Sequence, residues 1–103
     1  MDLFNKERMC RLFALYQELF TDNQKELFTA YYFDDNSLQE IATNLNISRN
    51  AIYSQLKRIE NQLELYEQKL HLKEYYDSLN KLLDSNLTKE QLINEIKKLG
   101  GNM

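Results

Sequence analysis

Residues 48–58 have side chains well suited to binding chemistry. If this stretch is helical, its outward positions carry only hydrogen-bond donors, and the stretch contains no acid. We call the set the donor face: Ser48, Arg49, Asn50, Tyr53, Ser54, Lys57 and Arg58. Arginine pairs with guanine and asparagine with adenine in the major groove, while flanking cations hold phosphate. We predict a nucleic-acid contact here, with DNA favoured over RNA; the alternative is a solvated charged surface.

Two closely spaced helices are needed to position the donor face. Ser37 and Glu40 have the spacing of a capping box, which predicts a helix beginning after Ser37. Asn46 tolerates the left-handed backbone of a tight turn, and Ser48 can cap a second helix. Ala42 is small enough for two helices to cross beside it. The pattern therefore predicts a helix-turn-helix. The apolar residues expected to hold its angle are Leu45, Ile47, Ile52 and Leu56.

The remaining sequence also favours helices. There is no proline, and the two glycines, Gly100 and Gly101, stand near the end, so the usual turn residues of β-hairpins are missing. Further helix starts are predicted by capping residues at Asn5, at Thr21 with Gln24, and at Thr88 with Gln91. Gly100 is expected to end the last helix. The predicted fold class is a small all-α domain.

A heptad stripe follows the donor face along the same predicted helix. Apolar residues recur at steps of four and three, as in a coiled coil: Ile52, Leu56, Ile59, Leu63, Tyr66 and Leu70. The rhythm shifts near His71, which indicates either a stutter in one helix or a break into two, and we favour the break. We expect a helix-turn-helix domain over residues 1–70 and a C-terminal helical extension over residues 71–103. The residues predicted to form a homodimer or docking surface are Ile59, Leu63, Tyr66 and Leu70.

Other chemistry finds little support in the sequence. The formal net charge of −3 argues against general polyanion binding. No phosphate loop, serine nucleophile motif or Cys/His ligand spacing occurs, so we expect neither an enzyme, a metal nor a cofactor. Glu60, Glu64 and Glu67 are expected on a solvated outer face, His71 at a boundary, and Cys10 as a buried thiol. Without a signal peptide or an apolar run of spanning length, a cytoplasmic protein with no membrane partner is expected.

The stretch "LQEIATNLNISRNAIYSQLKRIE" resembles region four of bacterial sigma factors. With the preceding "RMCRLFALYQELFTDNQKELFTAYYFDD", the chain resembles the YlxM family of small sigma-region-four-like proteins over roughly residues 3 to 85. The resemblance implies a sigma-region-four-like helix-turn-helix that binds DNA. It also implies, from genomic context, a role in the signal recognition particle pathway, with components of that particle as partners.

The match to sigma region four has departures at the donor face. Asn46 stands at a turn position that is usually glycine, Asn50 replaces an acid, and Ser54 replaces a glutamine one turn later. Arg49 matches an arginine at the start of the reading helix. Because the recognition residues differ, promoter-element specificity is not expected to carry over.

Two functions remain open from the sequence. The first is a regulatory nucleic-acid-binding module, which requires that Arg49, Lys57 and Arg58 be exposed and not paired with Glu60 or Glu64. The second is a protein-interaction adaptor that dimerises or docks on a targeting component through the heptad stripe, without binding nucleic acid. The two are compatible, since paired DNA readers commonly dimerise through helices.

Overall fold

The computed structural model describes residues 3–101, with side chains from Asn5 to Leu99. This part of the chain consists of α-helices and their connections, with no strand, which confirms the all-α class. The helices are α1 Leu3–Tyr16, α2 Asp22–Phe28, α3 Leu38–Leu45, α4 Arg49–Leu70, α5 Leu72–Leu83 and α6 Lys89–Gly101. A 3₁₀ turn, Gln17–Leu19, follows α1, and a π-helical turn, Thr29–Phe33, continues α2.

Most of the predicted helix starts are confirmed by capping hydrogen bonds. Thr21 and Gln24 exchange bonds before α2, and Thr88 and Gln91 do so before α6. The prediction for Asn5 was wrong, because α1 already begins at Leu3. The prediction that Gly100 ends the last helix was also wrong, since α6 continues to Gly101.

The chain forms two compact units, one as far as Tyr66 and one from Glu67. The sequence analysis placed the division between residues 70 and 71. The outer limits of the two predicted domains, residues 1 and 103, lie outside the described residues. In the first unit, stacked aromatic rings fill the space between α1 and α2. The ring centroids of Phe13 and Phe28 are 4.1 Å apart, and those of Phe28 and Tyr32 are 4.3 Å apart. Such stacked pairs add stability beyond the apolar area that they bury.

The heptad stripe divides between core and surface. Ile52, Leu56, Ile59 and Leu63 are each 3% exposed or less and belong to the core of the first unit. Tyr66 is half-buried, with its ring centroid 5.7 Å from that of Phe20. Leu70, the last residue of α4, is 47% exposed. The stripe is therefore mainly an intramolecular packing surface.

The predicted break near His71 is confirmed. His71 has φ 55° and ψ 31° and separates α4 from α5. The amides of Lys73 and Glu74, at the start of α5, donate to the Glu67 carboxylate at 3.0 and 3.1 Å. The sequence analysis expected Glu67 on a solvated face, but Glu67 is buried. Its carboxylate accepts bonds from amides that have no partner within the helix. These bonds cap the first turn of α5.

The second unit contains the helix pair α5 and α6, which contact each other. From Glu67 to Leu99, Glu67 is the one buried residue. The apolar residues of the pair are half-buried or exposed, so the unit has no enclosed apolar core within its described residues.

Candidate nucleic-acid interface

The turn between α3 and α4 has the predicted backbone. Ser37 Oγ accepts a bond from the Glu40 amide at 3.1 Å, and Glu40 Oε1 accepts one from the Ser37 amide at 3.0 Å, which completes the capping box. Asn46 adopts the left-handed conformation, with φ 56° and ψ 43°, and ends α3. Ser48 Oγ then accepts a bond from the Ala51 amide at 3.1 Å and starts α4. Local sequence thus builds the helix-turn-helix.

The angle between α3 and α4 is held by a smaller apolar set than the sequence predicted. Ala42 is 2% exposed and Ile52 is fully buried, as expected. Leu45 and Ile47 were also expected to hold the angle, but they are 47% and 39% exposed. They immediately flank Asn46, where the chain turns, and so lie at the rim of the packed interface.

All seven residues of the donor face are exposed. They lie on α4 and its cap, while Ile52, Leu56 and Ile59 on the same helix point into the core. A helix with one buried side presents its remaining positions to a partner. The structure therefore brings the predicted residues together on one accessible surface.

The three cations of the donor face differ in their surroundings. Among residues 3–101, neither Arg49 nor Arg58 forms an ion pair. Lys57 Nζ lies 3.2 Å from Glu60 Oε1 and 5.6 Å from the centroid of the Tyr53 ring. The hydrogen bond to Glu60 raises the pKa of Lys57. The requirement of free cations is met by the two arginines and not by Lys57.

Glu60 lies in a different environment from the one expected from the sequence. Its side chain is 15% exposed, whereas a solvated outer position was expected. The hydroxyl of Tyr32, a buried side chain of the π-helical turn, donates a hydrogen bond to Glu60. Burial first, and then this bond, raise the pKa of Tyr32. The Lys57 to Glu60 spacing of one helical turn was the sequence signal for the pairing; the Tyr32 contact comes from tertiary packing.

Glu64, also expected to be solvated, pairs with α1. Arg8 Nε donates to Glu64 Oε1 at 2.8 Å, and Arg8 Nη2 to Glu64 Oε2 at 2.7 Å. The Arg8 guanidinium lowers the pKa of the Glu64 carboxyl. This bidentate pair ties α1 to α4 and offsets a negative charge that would otherwise repel phosphate near the donor face.

Other binding modes have little support near this surface. A cavity of about 220 Å³ beside Tyr53, Lys57 and Glu60 is smaller than usual for organic ligands. Across residues 3–101, no three Asp, Glu, His or Cys side chains are grouped so as to hold a metal ion. No helix in the described residues is both long and apolar enough to cross a bilayer.

The predicted association residues are mostly less exposed than the donor face. Ile59 and Leu63 are 1% and 0% exposed inside the first unit, Tyr66 is half-buried, and Leu70 is exposed. Of these four residues, Leu70 is the one with an exposed apolar side chain, at 47%.

Comparison with known proteins gives a consistent family match. The family model described as "Putative helix-turn-helix protein, YlxM / p13 like" matches residues 3–100. A UPF0122 protein of Limosilactobacillus fermentum is 48% identical over 84 residues, an alignment that covers 82% of this chain and 74% of that protein. A UPF0122 protein of Bacillus licheniformis is 42% identical over 106 aligned residues, covering 96% and 99%. One of Listeria welshimeri is 45% identical over 97 residues, covering 90% and 88%.

Proposed function

Because the chain belongs to the family of YlxM / p13-like helix-turn-helix proteins, we propose that it is a regulatory protein that binds DNA through the donor face. The observation that supports this most directly is the pair of exposed arginines on α4, Arg49 and Arg58, which have no ion-pair partner in the described chain. An exposed arginine without an ion-pair partner on a reading helix is suited to phosphate and guanine contacts.

The proposed mode places the first turns of α4 in the major groove. Arg49 would donate two bonds to guanine O6 and N7, and Asn50 would pair with adenine N6 and N7. Arg58 and the hydroxyl of Ser54 would contact phosphate and fix the orientation of the helix. The B-form major groove admits an α-helix, whereas the A-form groove of double-stranded RNA is too narrow. Double-stranded DNA is therefore the favoured ligand.

The overall charge limits how the protein can bind. With a formal net charge of −3, the chain has no general attraction for polyanions, so binding depends on the local cations of the donor face. Each phosphate contact made by these cations contributes roughly 0.9 to the slope of log affinity against log salt. We expect a shallow salt dependence and a binding energy that depends strongly on base contacts.

The experiment compares the wild type with Arg49→Ala plus Arg58→Ala on random-sequence DNA duplexes and on RNA of the same sequences. Selection from the DNA pool should enrich a sequence that the double variant binds much more weakly than the wild type does. The salt slope of the variant should be lower by roughly one unit, because Arg58 is the phosphate contact that it loses. The matched control is Lys81→Ala plus Lys97→Ala, which removes the same charge from exposed positions of the second unit.

Three results would count against this function. One is unchanged binding by the arginine variant, a second is equal loss in the lysine control, and a third is enrichment from the RNA pool alone. Fluorescence anisotropy at several salt concentrations measures the first two, and sequencing of the selected pools shows the third.

The adaptor alternative has less support. It assigned the function to the heptad stripe without nucleic-acid binding, but Ile59 and Leu63 are enclosed in the first unit and contribute to its core. We retain the signal recognition particle pathway as the proposed setting, supported by the family resemblance alone. Its test is whether components of that particle co-purify with the wild type and not with the arginine variant.

A further inference from the structure

The second unit exposes apolar residues that a stable helix pair would bury. Tyr76 is 48% exposed, Leu83 58% and Ile93 43%, and no apolar side chain between residues 67 and 99 is buried. α5 and α6 have 12 and 13 residues, and the unit has fewer than 40. Isolated helices of that length are marginal in water, and units of that size usually need a metal, a disulfide or an oligomer. A further surface that covered these apolar residues would therefore stabilise the helix pair.

α5 carries the surface best suited to such a partner. Its apolar stripe follows the steps four, three and four: Leu72, Tyr76, Leu79 and Leu83. Leu72 and Leu79 are half-buried, while Tyr76 and Leu83 are exposed, so the stripe is only partly covered. On an α-helix these four positions lie on one side and form a continuous apolar strip.

We propose that this stripe is the interface of a homodimer, in which α5 packs antiparallel against α5 of a second copy. The spacing of the stripe is the same in both directions along the helix. An antiparallel alignment therefore places Leu72 against Leu83 of the second copy, and Tyr76 against Leu79, so every apolar residue meets an apolar residue. A two-fold interface requires this kind of self-complementarity.

The charge of the second unit favours a second copy over a nucleic acid. From residue 67 onwards the sequence has six lysines and six acids, with no arginine, so two copies meet without net repulsion. On α5, Lys73 Nζ lies 2.8 Å from Asp77 Oδ2, which neutralises the charges nearest the stripe. A nucleic-acid surface would need an excess of cations. The proposal is independent of the donor face and of DNA binding.

The first experiment measures the mass of the full chain by sedimentation equilibrium across a concentration range. The wild type should have twice the mass of one chain, and Tyr76→Glu plus Leu83→Glu should be monomeric, with a dimer dissociation constant raised at least about a hundredfold. Both positions are exposed, so circular dichroism should show the helices of the variant retained. The matched control is Leu19→Glu plus Leu65→Glu, at exposed positions of the first unit, and should remain dimeric.

A wild type that is monomeric at every concentration would overturn the proposal and leave the stripe to a different protein. A dimer that survives in the Tyr76 and Leu83 variant would overturn it equally, since the interface would then lie elsewhere.

The second experiment tests the antiparallel arrangement by disulfide formation in a Cys10→Ala background. Chains with Leu72→Cys, refolded together with chains carrying Leu83→Cys, should form a mixed disulfide. Either variant alone should not, because the two copies of one position would lie roughly 16 Å apart along the helices, beyond the reach of a disulfide. Efficient cross-linking of each variant with itself would show a parallel pair and contradict this interface.

Discussion

Lys57 and Glu60 form an ion pair one helical turn apart on α4, with Lys57 Nζ 3.2 Å from Glu60 Oε1. The pair links the protein surface to the core. Lys57 is on the exposed donor face, while Glu60 also accepts a hydrogen bond from the buried Tyr32. The carboxylate is thus held by the core and in turn holds the cation. A DNA phosphate that approaches Lys57 must compete with Glu60.

Replacement of this carboxylate should strengthen DNA binding. Glu60→Gln keeps an acceptor for the Tyr32 hydroxyl but removes the negative charge beside Lys57. Since a partly exposed ion pair is worth about 1 kcal/mol, affinity for a selected duplex should rise by up to roughly fivefold. The salt slope should steepen by roughly one unit as Lys57 gains a phosphate. Fluorescence anisotropy at several salt concentrations measures both.

The control for this change is Glu90→Gln, which removes an acid from the exposed part of α6. It should leave the salt slope as in the wild type. If Glu60→Gln and Glu90→Gln had the same effect, the gain would reflect net charge and not the release of Lys57.

The pair between Arg8 and Glu64 predicts a pH-dependent contribution to stability. Arg8 lowers the pKa of Glu64 below its ordinary value of 4.5, so the unfolded chain takes up this proton at a higher pH than the folded chain does. The contribution is therefore present above about pH 4.5 and is lost as the pH falls through the folded pKa. Glu64→Gln should lower the free energy of unfolding at pH 7 by about 0.5 to 1 kcal/mol, because the pair is partly exposed.

Urea unfolding from pH 7 to pH 3 measures this contribution. The difference between wild type and Glu64→Gln should shrink towards zero at the acidic end. Glu7→Gln, at an exposed position next to Arg8 in α1, is the control and should change the free energy of unfolding by less than about 0.5 kcal/mol at pH 7. A difference that grows on acidification would contradict the proposed linkage.

Local chemistry accounts for the parts of the fold that the sequence analysis predicted. A capping box or a left-handed asparagine depends on residues within one turn, so Ser37 with Glu40 and Asn46 could be recognised directly. The partners of Glu60 and Glu64 are far away in sequence, at Tyr32 and Arg8. A single helical pattern shows which positions share a side, but not which distant helix covers that side. Hence the exposure of the donor face could be predicted, whereas the contacts of Glu60 with Tyr32 and of Glu64 with Arg8 could not.

The heptad stripe shows the same limit. Its spacing is compatible with a core, a dimer interface or both, and only the packing of the other helices distinguishes them. We expect Leu63→Ala to lower the free energy of unfolding by about 2 to 5 kcal/mol, because it opens a cavity at a fully buried position. Leu70→Ala, seven residues farther along the stripe but 47% exposed, should cost less than about 0.5 kcal/mol.

Urea unfolding measures both substitutions, and each serves as the control for the other, since the chemical change is identical. If both substitutions lowered the free energy of unfolding by equal and small amounts, α4 would not be enclosed at Leu63 in solution. Equal and large costs would mean that Leu70 is covered by a partner.

Asn46 is a further position where a specific backbone conformation predicts the effect of a substitution. At φ 56° and ψ 43° a Cβ atom is unfavourable, but asparagine tolerates the left-handed region better than alanine does. Asn46→Ala should therefore lower the free energy of unfolding by about 1 kcal/mol, and Asn46→Gly should change it by less than about 0.5 kcal/mol, because glycine fits the turn but loses more chain entropy. Asn44→Ala, two residues earlier inside α3, is the matched control and should be slightly stabilising, by up to about 0.5 kcal/mol. Thermal unfolding of the three variants gives the order of their stabilities directly. If Asn46→Ala were as stable as Asn46→Gly, the left-handed turn between α3 and α4 would not be required, and the geometry that presents Arg49 and Asn50 would need another explanation.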